Sequence, residues 1–158
     1  MKIARKSKDG KTQSVKCHLL NVANLSKNRG TLLNLGNVTF LAGLLHDMGK
    51  LSDDFQLYIN SDNEAKVDHG MYGAKYIYDM IPSEESSDVF DKITAEIISL
   101  IICYHHGGLP NSVDDHFNIP LLKRICKNKF NDYLSVKKEF ECLFEEFDIS
   151  ELFSKAVI

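Results

Sequence analysis

The sequence predicts an all-α fold, a single globular helical domain, and three observations carry that reading. Apolar residues recur at helical spacing almost everywhere along the 158 residues. No stretch alternates convincingly in the manner of a half-buried strand. Polar segments bearing glycine or proline, such as "HHGGLPNS", separate the periodic runs, with neither a repeat nor a long linker between them. At 44% hydrophobic and 26% charged, the composition suits one domain large enough to bury a core.

Taken in order, Ser14 is placed to cap a first helix, one face of which carries Val15, His18, Val22 and Leu25. A second helix is expected over residues 38–49, where Gly49 supplies a C-terminal stop. After the polar "NSDNEAKVD", a third runs from about residue 68 to 80 and aligns His69, Tyr72, Gly73, Tyr76, Ile77 and Met80 in one stripe. "IPSEESSD" reads as a loop, because Pro82 fits poorly inside a helix. The most apolar helix covers residues 89–104, with Ile93, Ile97, Leu100, Ile101 and Tyr104 expected inward. Gly107, Gly108 and Pro110 end it. Helices near residues 119–127, 133–146 and 149–157 complete the chain.

Several function classes are disfavoured at once. The apolar runs "FLAGLL" and "IISLIIC" are far too short to span a membrane. "MKIARKSKDGK" has the basic residues of a signal peptide but no apolar stretch behind them, so a cytoplasmic location is expected. Cys17, Cys103, Cys126 and Cys142 form no CxxC pair and read as reduced thiols, mostly buried in helices. A net charge of −3 argues against a protein that coats nucleic acid, while leaving room for a local basic channel. Basic residues cluster at Lys2, Arg5, Lys6, Lys8, Lys11 and Lys16 and again around Lys123, Arg124, Lys127 and Lys129. Acidic residues gather from Glu139 to Glu151, and solvated helix faces are the default reading of each cluster.

The chemistry concentrates in "LLHDMGKL", residues 44–51, where His46, Asp47 and Lys50 interrupt a run of leucines. Burying an ionisable pair is costly unless something compensates it. A lone histidine on an apolar face is ordinarily a hydrogen-bonded core residue. The collective pattern is more telling. His18, His46, His69, His105 and His106 each fall on an inward helix face or at the end of an apolar helix. Several imidazoles with one carboxylate form the ligand set of a transition-metal site, which helical bundles build from facing helices.

Asp47 can bridge two ions roughly 3.5–4 Å apart, because a carboxylate has two oxygens and an imidazole offers one nitrogen. As helix neighbours, His46 and Asp47 would approach from directions about 100° apart. Gly107 and Gly108 are expected to loosen the backbone so that His105 and His106 turn toward one centre. Lys50 reads as a contact to a substrate phosphate or an attacking water, or else as a surface lysine near a helix C-terminus. Nitrogen-rich ligation favours manganese, iron, cobalt or nickel over magnesium. "DGKT" lacks the upstream glycine and strand of a phosphate-binding loop. His116 is expected in an exposed loop, and Asp114 and Asp115 as turn residues.

The order H…HD…H…HH on helices resembles the HD phosphohydrolase superfamily. The stretches "HLLNVANLS", "FLAGLLHDMGKLSDDFQLYI", "DHGMYGAKYI" and "IICYHHGGLPN" further resemble the HD nuclease domain of the CRISPR-associated nuclease–helicase of type I systems. The resemblance implies a helical domain that cleaves single-stranded DNA with one or two divalent transition metals. It also implies two partners: a superfamily 2 helicase in cis or trans, and the RNA-guided surveillance complex that opens the target. By position, Asp47 would bridge, His69, His105 and His106 would complete one metal site, and His18 with His46 would contribute to the other. Lys50 would lie near the scissile phosphate.

The family carries a later aspartate in the His18/His46 site, and "ELFSKAVI" resembles the approach to its helix. The expectation is therefore an HD nuclease domain over residues 1–158, truncated at its C-terminal end and without the helicase. Its site around His69, His105, His106 and Asp47 would hold metal better than the other. Two rival readings stand beside this one: an HD phosphohydrolase acting on nucleotides or cyclic nucleotides, and a catalytically impaired fragment that binds metal or a partner. Phe55, Tyr72 and Tyr104 are candidates for stacking on bases, with core packing as the alternative role of each.

Overall fold

A computed structural model of the chain describes residues 1–61, 67, 69–81, 88–108, 111, 113, 119–127 and 131–157. Among these, eight α-helices and one small two-stranded sheet form a single helical domain. The sheet is a hairpin of β1 (Ile3–Lys6) and β2 (Thr12–Ser14), paired antiparallel through Arg5 with Gln13 and Lys6 with Thr12. Strands of four and three residues are too short for alternation to register in the sequence. The turn chemistry was nevertheless present in "KDGK". Gly10 adopts φ 80°, and the Ser7 amide donates to the Lys11 carbonyl at 2.8 Å.

The helices follow as α1 (Val15–Thr31), α2 (Gly36–Leu45), α3 (Asp53–Asn60), α4 (Met71–Met80), α5 (Val89–Tyr104), α6 (Pro120–Lys127), α7 (Tyr133–Leu143) and α8 (Ile149–Ser154). A 3-10 turn, Met48–Leu51, lies between α2 and α3. Ser14 caps α1 as expected, its side chain accepting from the Cys17 amide at 3.2 Å. The buried line of α1 is Val15, Leu19 and Ala23, whereas Leu25 is 61% exposed. His18 and Val22 therefore sit at the edge of the packed face.

Helix α2 is the central element. Val38, Phe40, Leu41, Ala42, Leu44 and Leu45 are all buried, and α2 packs against α1, α4, α5 and α8. It stops at Leu45 and not at Gly49, so Asp47 lies outside it, at φ −120° and ψ 27°. Helix α5 is rotated from the expected face. Its buried residues are Thr94, Ala95, Ile98, Ser99, Ile102 and Cys103, while Ile93 and Ile101 are 45% and 40% exposed. The helix is apolar on nearly every side, so hydropathy alone does not choose a face. Close packing chooses it: Ala95 and Ser99 are small enough to let α5 lie on α4, where the Ser99 hydroxyl donates to the Ala74 carbonyl at 3.2 Å.

An aromatic cluster closes the far side, with the Phe140 ring 5.7 Å from Tyr76 and 4.9 Å from Phe144. The four cysteines are free thiols, but only Cys103 is buried; Cys17, Cys126 and Cys142 lie on outward helix faces. The N-terminal lysines pair with the late acidic residues, Lys2 with Glu139 at 2.8 Å and Lys16 with Glu146 at 2.8 Å. These clusters complement each other within the chain. Among the described residues, no helix is long and apolar enough to cross a membrane. The loop expected around Pro82, together with Asp114, Asp115, His116 and Lys129, lies outside the described residues.

Candidate metal centre

The six expected residues converge, though mostly from helix ends. His18 projects from the first turns of α1, and His46 is the C-cap of α2. His69 stands two residues before α4; His105 is the C-cap of α5, and His106 follows it. Asp47 leaves α2 and precedes the 3-10 turn, yet its side chain caps nothing. Its carboxylate turns into the protein instead, where it is 3% exposed.

Local packing explains these positions. A Cβ at Gly49 would overlap the His69 carbonyl and come within 2.8 Å of the His69 Cα, so glycine there lets the His69 backbone lie against the turn. This is the role of Gly49, in place of the helix stop expected from its sequence position. Gly107 and Gly108 face open space, and neither has a positive φ. The pairing of His105 with His106 therefore needs no special glycine conformation.

The two oxygens of Asp47 face different partners. Oδ2 lies 2.8 Å from His18 Nε2, 3.0 Å from His46 Nε2 and 2.8 Å from Lys50 Nζ. Oδ1 lies 3.2 Å from His69 Nε2 and 3.3 Å from His105 Nε2, and no hydrogen bond satisfies it. His106 Nε2 is 3.1 Å from His69 Nε2. Two groups of donor atoms result, each with all its members within 4.8 Å of one another. One is Asp47, His69, His105 and His106; the other is His18, His46 and Asp47.

The outer ring nitrogens orient the inner ones. His46 Nδ1 bonds the Gly43 carbonyl at 2.7 Å, His69 Nδ1 the Val67 carbonyl at 2.9 Å, and His105 Nδ1 the Ile102 carbonyl at 2.7 Å. A carbonyl only accepts, so the proton sits on Nδ1 and the Nε2 lone pair of the neutral ring points inward. Lone pairs aimed at a carboxylate and at one another require a cation or extra protons among them. Together with the orphaned Oδ1, that donor set fits a divalent metal.

Electrostatics agrees. Burial pushes the Asp47 carboxyl up, but the imidazoles of His105, His18, His46 and His69 outweigh it and hold the group far below the usual carboxylate range. Burial lowers the His105 pKa, while the facing Asp47 carboxylate and the bond to the Ile102 carbonyl leave it above the ordinary imidazole value, so without a cation this ring favours the extra proton. His106 is shifted down by burial and by the neighbouring His105 and His69, which favours a neutral ring with a free lone pair.

Lys50 is only 13% exposed, and its ammonium lies 5.5 Å over the Phe55 ring. It is a half-buried partner of Asp47, not an exposed surface lysine. Phe55 is 4% exposed and meets the edge of His69 at 5.1 Å, so it walls the site. Tyr72 is buried and donates to Asp132 Oδ1 at 2.7 Å, and Tyr104 lies beneath the Arg124 guanidinium at 5.1 Å. Core packing is thus the role of Phe55 and Tyr72. A further residue escaped the sequence reading. Gln56 accepts from the Ile3 amide at 2.9 Å and donates to the Ile3 carbonyl at 2.9 Å and the Lys50 carbonyl at 2.7 Å. Nothing in a single glutamine on an amphipathic helix signals such a clamp.

A compact helical domain that gathers five imidazoles around one shared carboxylate belongs to the class of metal-dependent hydrolases built on helix bundles. The particular family is the HD-domain family: residues 15–139 match its profile, and the chain belongs to it. Members of that family are in general metal-dependent hydrolases. No curated protein matches the chain.

Proposed function

We propose that this domain hydrolyses phosphodiester bonds of single-stranded DNA as the nuclease module of a type I CRISPR interference effector. The observation that carries the hydrolytic part is the division of Asp47, with Oδ2 toward His18 and His46 and Oδ1 toward His69 and His105. Two donor sets sharing one carboxylate suit two ions acting on one phosphate. The choice of a DNA strand, of a superfamily 2 helicase that delivers it and of an RNA-guided complex that opens the target rests on the run of sequence motifs from "HLLNVANLS" to "IICYHHGGLPN".

A divalent transition metal bound here would polarise a phosphoryl oxygen and activate water. The protein's own part is preorganisation. Asp47 stays ionised, and three Nδ1–carbonyl bonds keep His46, His69 and His105 from turning away. Lys50 places an ammonium beside the Oδ2 set, where negative charge on a phosphate gathers during displacement.

The test offers the chain labelled single-stranded DNA, nucleoside triphosphates and cyclic dinucleotides in turn, each with manganese or nickel. Cleavage of the strand alone is expected, falling by about 10²–10³-fold or more in Asp47→Ala. Hydrolysis of nucleotides with the strand left intact would transfer the site to nucleotide chemistry. Strand cleavage that survives Asp47→Ala would overturn the assigned centre.

A further inference from the structure

The geometry points to a nucleobase pocket beside the histidine cluster: an apolar groove of about 500 Å³, opening at His46 and His105, that seats a base of the strand whose phosphate lies at the centre. The inference rests on the nuclease reading above and adds to it a binding subsite. A groove of this volume falls within the range of ordinary ligand sites, about 300–1,000 Å³.

The groove continues the site because the same helix faces build both. On α1, Val22 and Arg29 follow His18 at four and eleven residues, which keeps them on one side of the helix. On α2, Ala42 and Thr39 precede His46 along its floor, and on α5 Ile101 lies one turn before His105. Helix α2 packs against both α1 and α5, so it forms the base of the slot and they form its sides. The seven-residue step from Thr39 to His46 corresponds to about 10 Å of helix. A base with its sugar fits that length.

The lining is apolar where a base would lie. The Thr39 hydroxyl is already committed to the Ser26 carbonyl at 2.9 Å, so it offers little for reading base edges. Ile101 stays 40% exposed at the rim, an apolar surface that the fold does not cover. Arg29, in the last turn of α1, is the charged residue of the slot outside the histidines, and it forms no ion pair among the described residues. A guanidinium at one end, a metal-ligand cluster at the other and an apolar slot between them repeat the phosphate–base–phosphate order of one strand. Such a slot takes bases without strong sequence preference, because face contact does not depend on edge hydrogen bonds.

Binding of a labelled oligothymidylate, and of a strand of equal length made of abasic sugars, both with a phosphorothioate backbone that resists cutting, tests this by fluorescence anisotropy with manganese present. The abasic strand is expected to bind about tenfold more weakly, the loss of one base contact. Ile101→Gln, or Val22→Trp filling the slot from α1, should bring oligothymidylate down to the abasic level with little effect on the abasic strand itself. Arg29→Ala should weaken both strands alike and lower the salt slope by about 0.7, one phosphate contact. Manganese binding should be unchanged in all three variants, which shows that the centre is still folded. Equal affinity for the two strands would overturn the pocket. So would slot variants that leave binding untouched but abolish a self-association of the native chain, since a second copy would then occupy the groove. If the strand is cut without dependence on its bases, only the pocket falls. If no strand binds or is cut while nucleotides are hydrolysed, the nuclease reading falls with it.

Discussion

Asp47 shows what a single residue contributes here. A buried carboxylate costs several kcal/mol in isolation, and this one is stabilised by four imidazoles and the Lys50 ammonium. Asp47→Asn keeps the shape but removes the charge that both donor sets share. It should abolish binding of both ions in a calorimetric titration with manganese, whereas loss at one set alone would show that the oxygens act independently. Lys50 carries the opposite lesson. Its ammonium sits on the oxygen that also faces His18 and His46, so it opposes a cation held there. Lys50→Met should therefore tighten manganese binding at that set while lowering strand cleavage by about 10²-fold. Weaker binding in the variant would mean that the lysine orients Asp47 more than it repels metal. The identities of these residues were legible in the sequence because polar groups amid leucines demand an explanation. Their bond directions were not, since these follow from where α2 ends and from how closely Gly49 lets the His69 backbone approach the turn, both of them matters of tertiary packing.

Elements translate those residues into a site. The turn bearing Lys50 is held from outside by the hairpin: Gln56 ties the Ile3 backbone to the Lys50 carbonyl, and Lys2 reaches the Leu51 carbonyl, Asp53 and Glu139. Gln56→Leu removes one acceptor and two donors and leaves their partners half-buried, so a loss of about 1–3 kcal/mol in urea unfolding is expected. An unchanged midpoint would show that water replaces the amide. Lys2 adds a pH signature. Its partial burial lowers the pKa, but the bonds to Glu139 and Asp53 outweigh this and raise it above the ordinary 10.5. A raised lysine contributes stability that is complete below the unfolded-state value and fades as pH rises through the folded-state value. The difference in Tm between the native chain and Lys2→Met should hold steady through neutral pH and shrink only in strong alkali. A difference that vanishes near pH 7 would contradict the assignment. The hairpin that makes both contacts escaped the sequence because strands of four and three residues hold too few alternations to stand out. Helix α5 was misoriented for a complementary reason, its apolar residues facing every direction.

At the scale of the molecule, the centre doubles as a structural staple. The line of Val15, Leu19 and Ala23 on α1, helix α2 and the aromatic cluster around Phe140 are held by buried side chains that need no metal. The ends of α2 and α5 and the approach to α4 instead meet through imidazoles and one carboxylate. With no cation among them, the inward nitrogens oppose one another, so these ends should be the first part of the domain to loosen when metal is removed. Any ion that binds the folded state alone stabilises it by mass action, about 2.7 kcal/mol at a hundredfold excess over Kd. Manganese should therefore raise the Tm by several degrees, EDTA should reverse the rise, and Asp47→Asn should show none. Hydrogen exchange should place the protection gained at the turn of residues 48–51 and at the C-terminal end of α5, and leave Leu41 and Phe140 unaffected. The four-donor group of Asp47, His69, His105 and His106 should fill before the three-donor group of His18, His46 and Asp47. A titration in which two ions bind with equal affinity would show instead that the shared carboxylate, and not the number of imidazoles, sets the strength of each site.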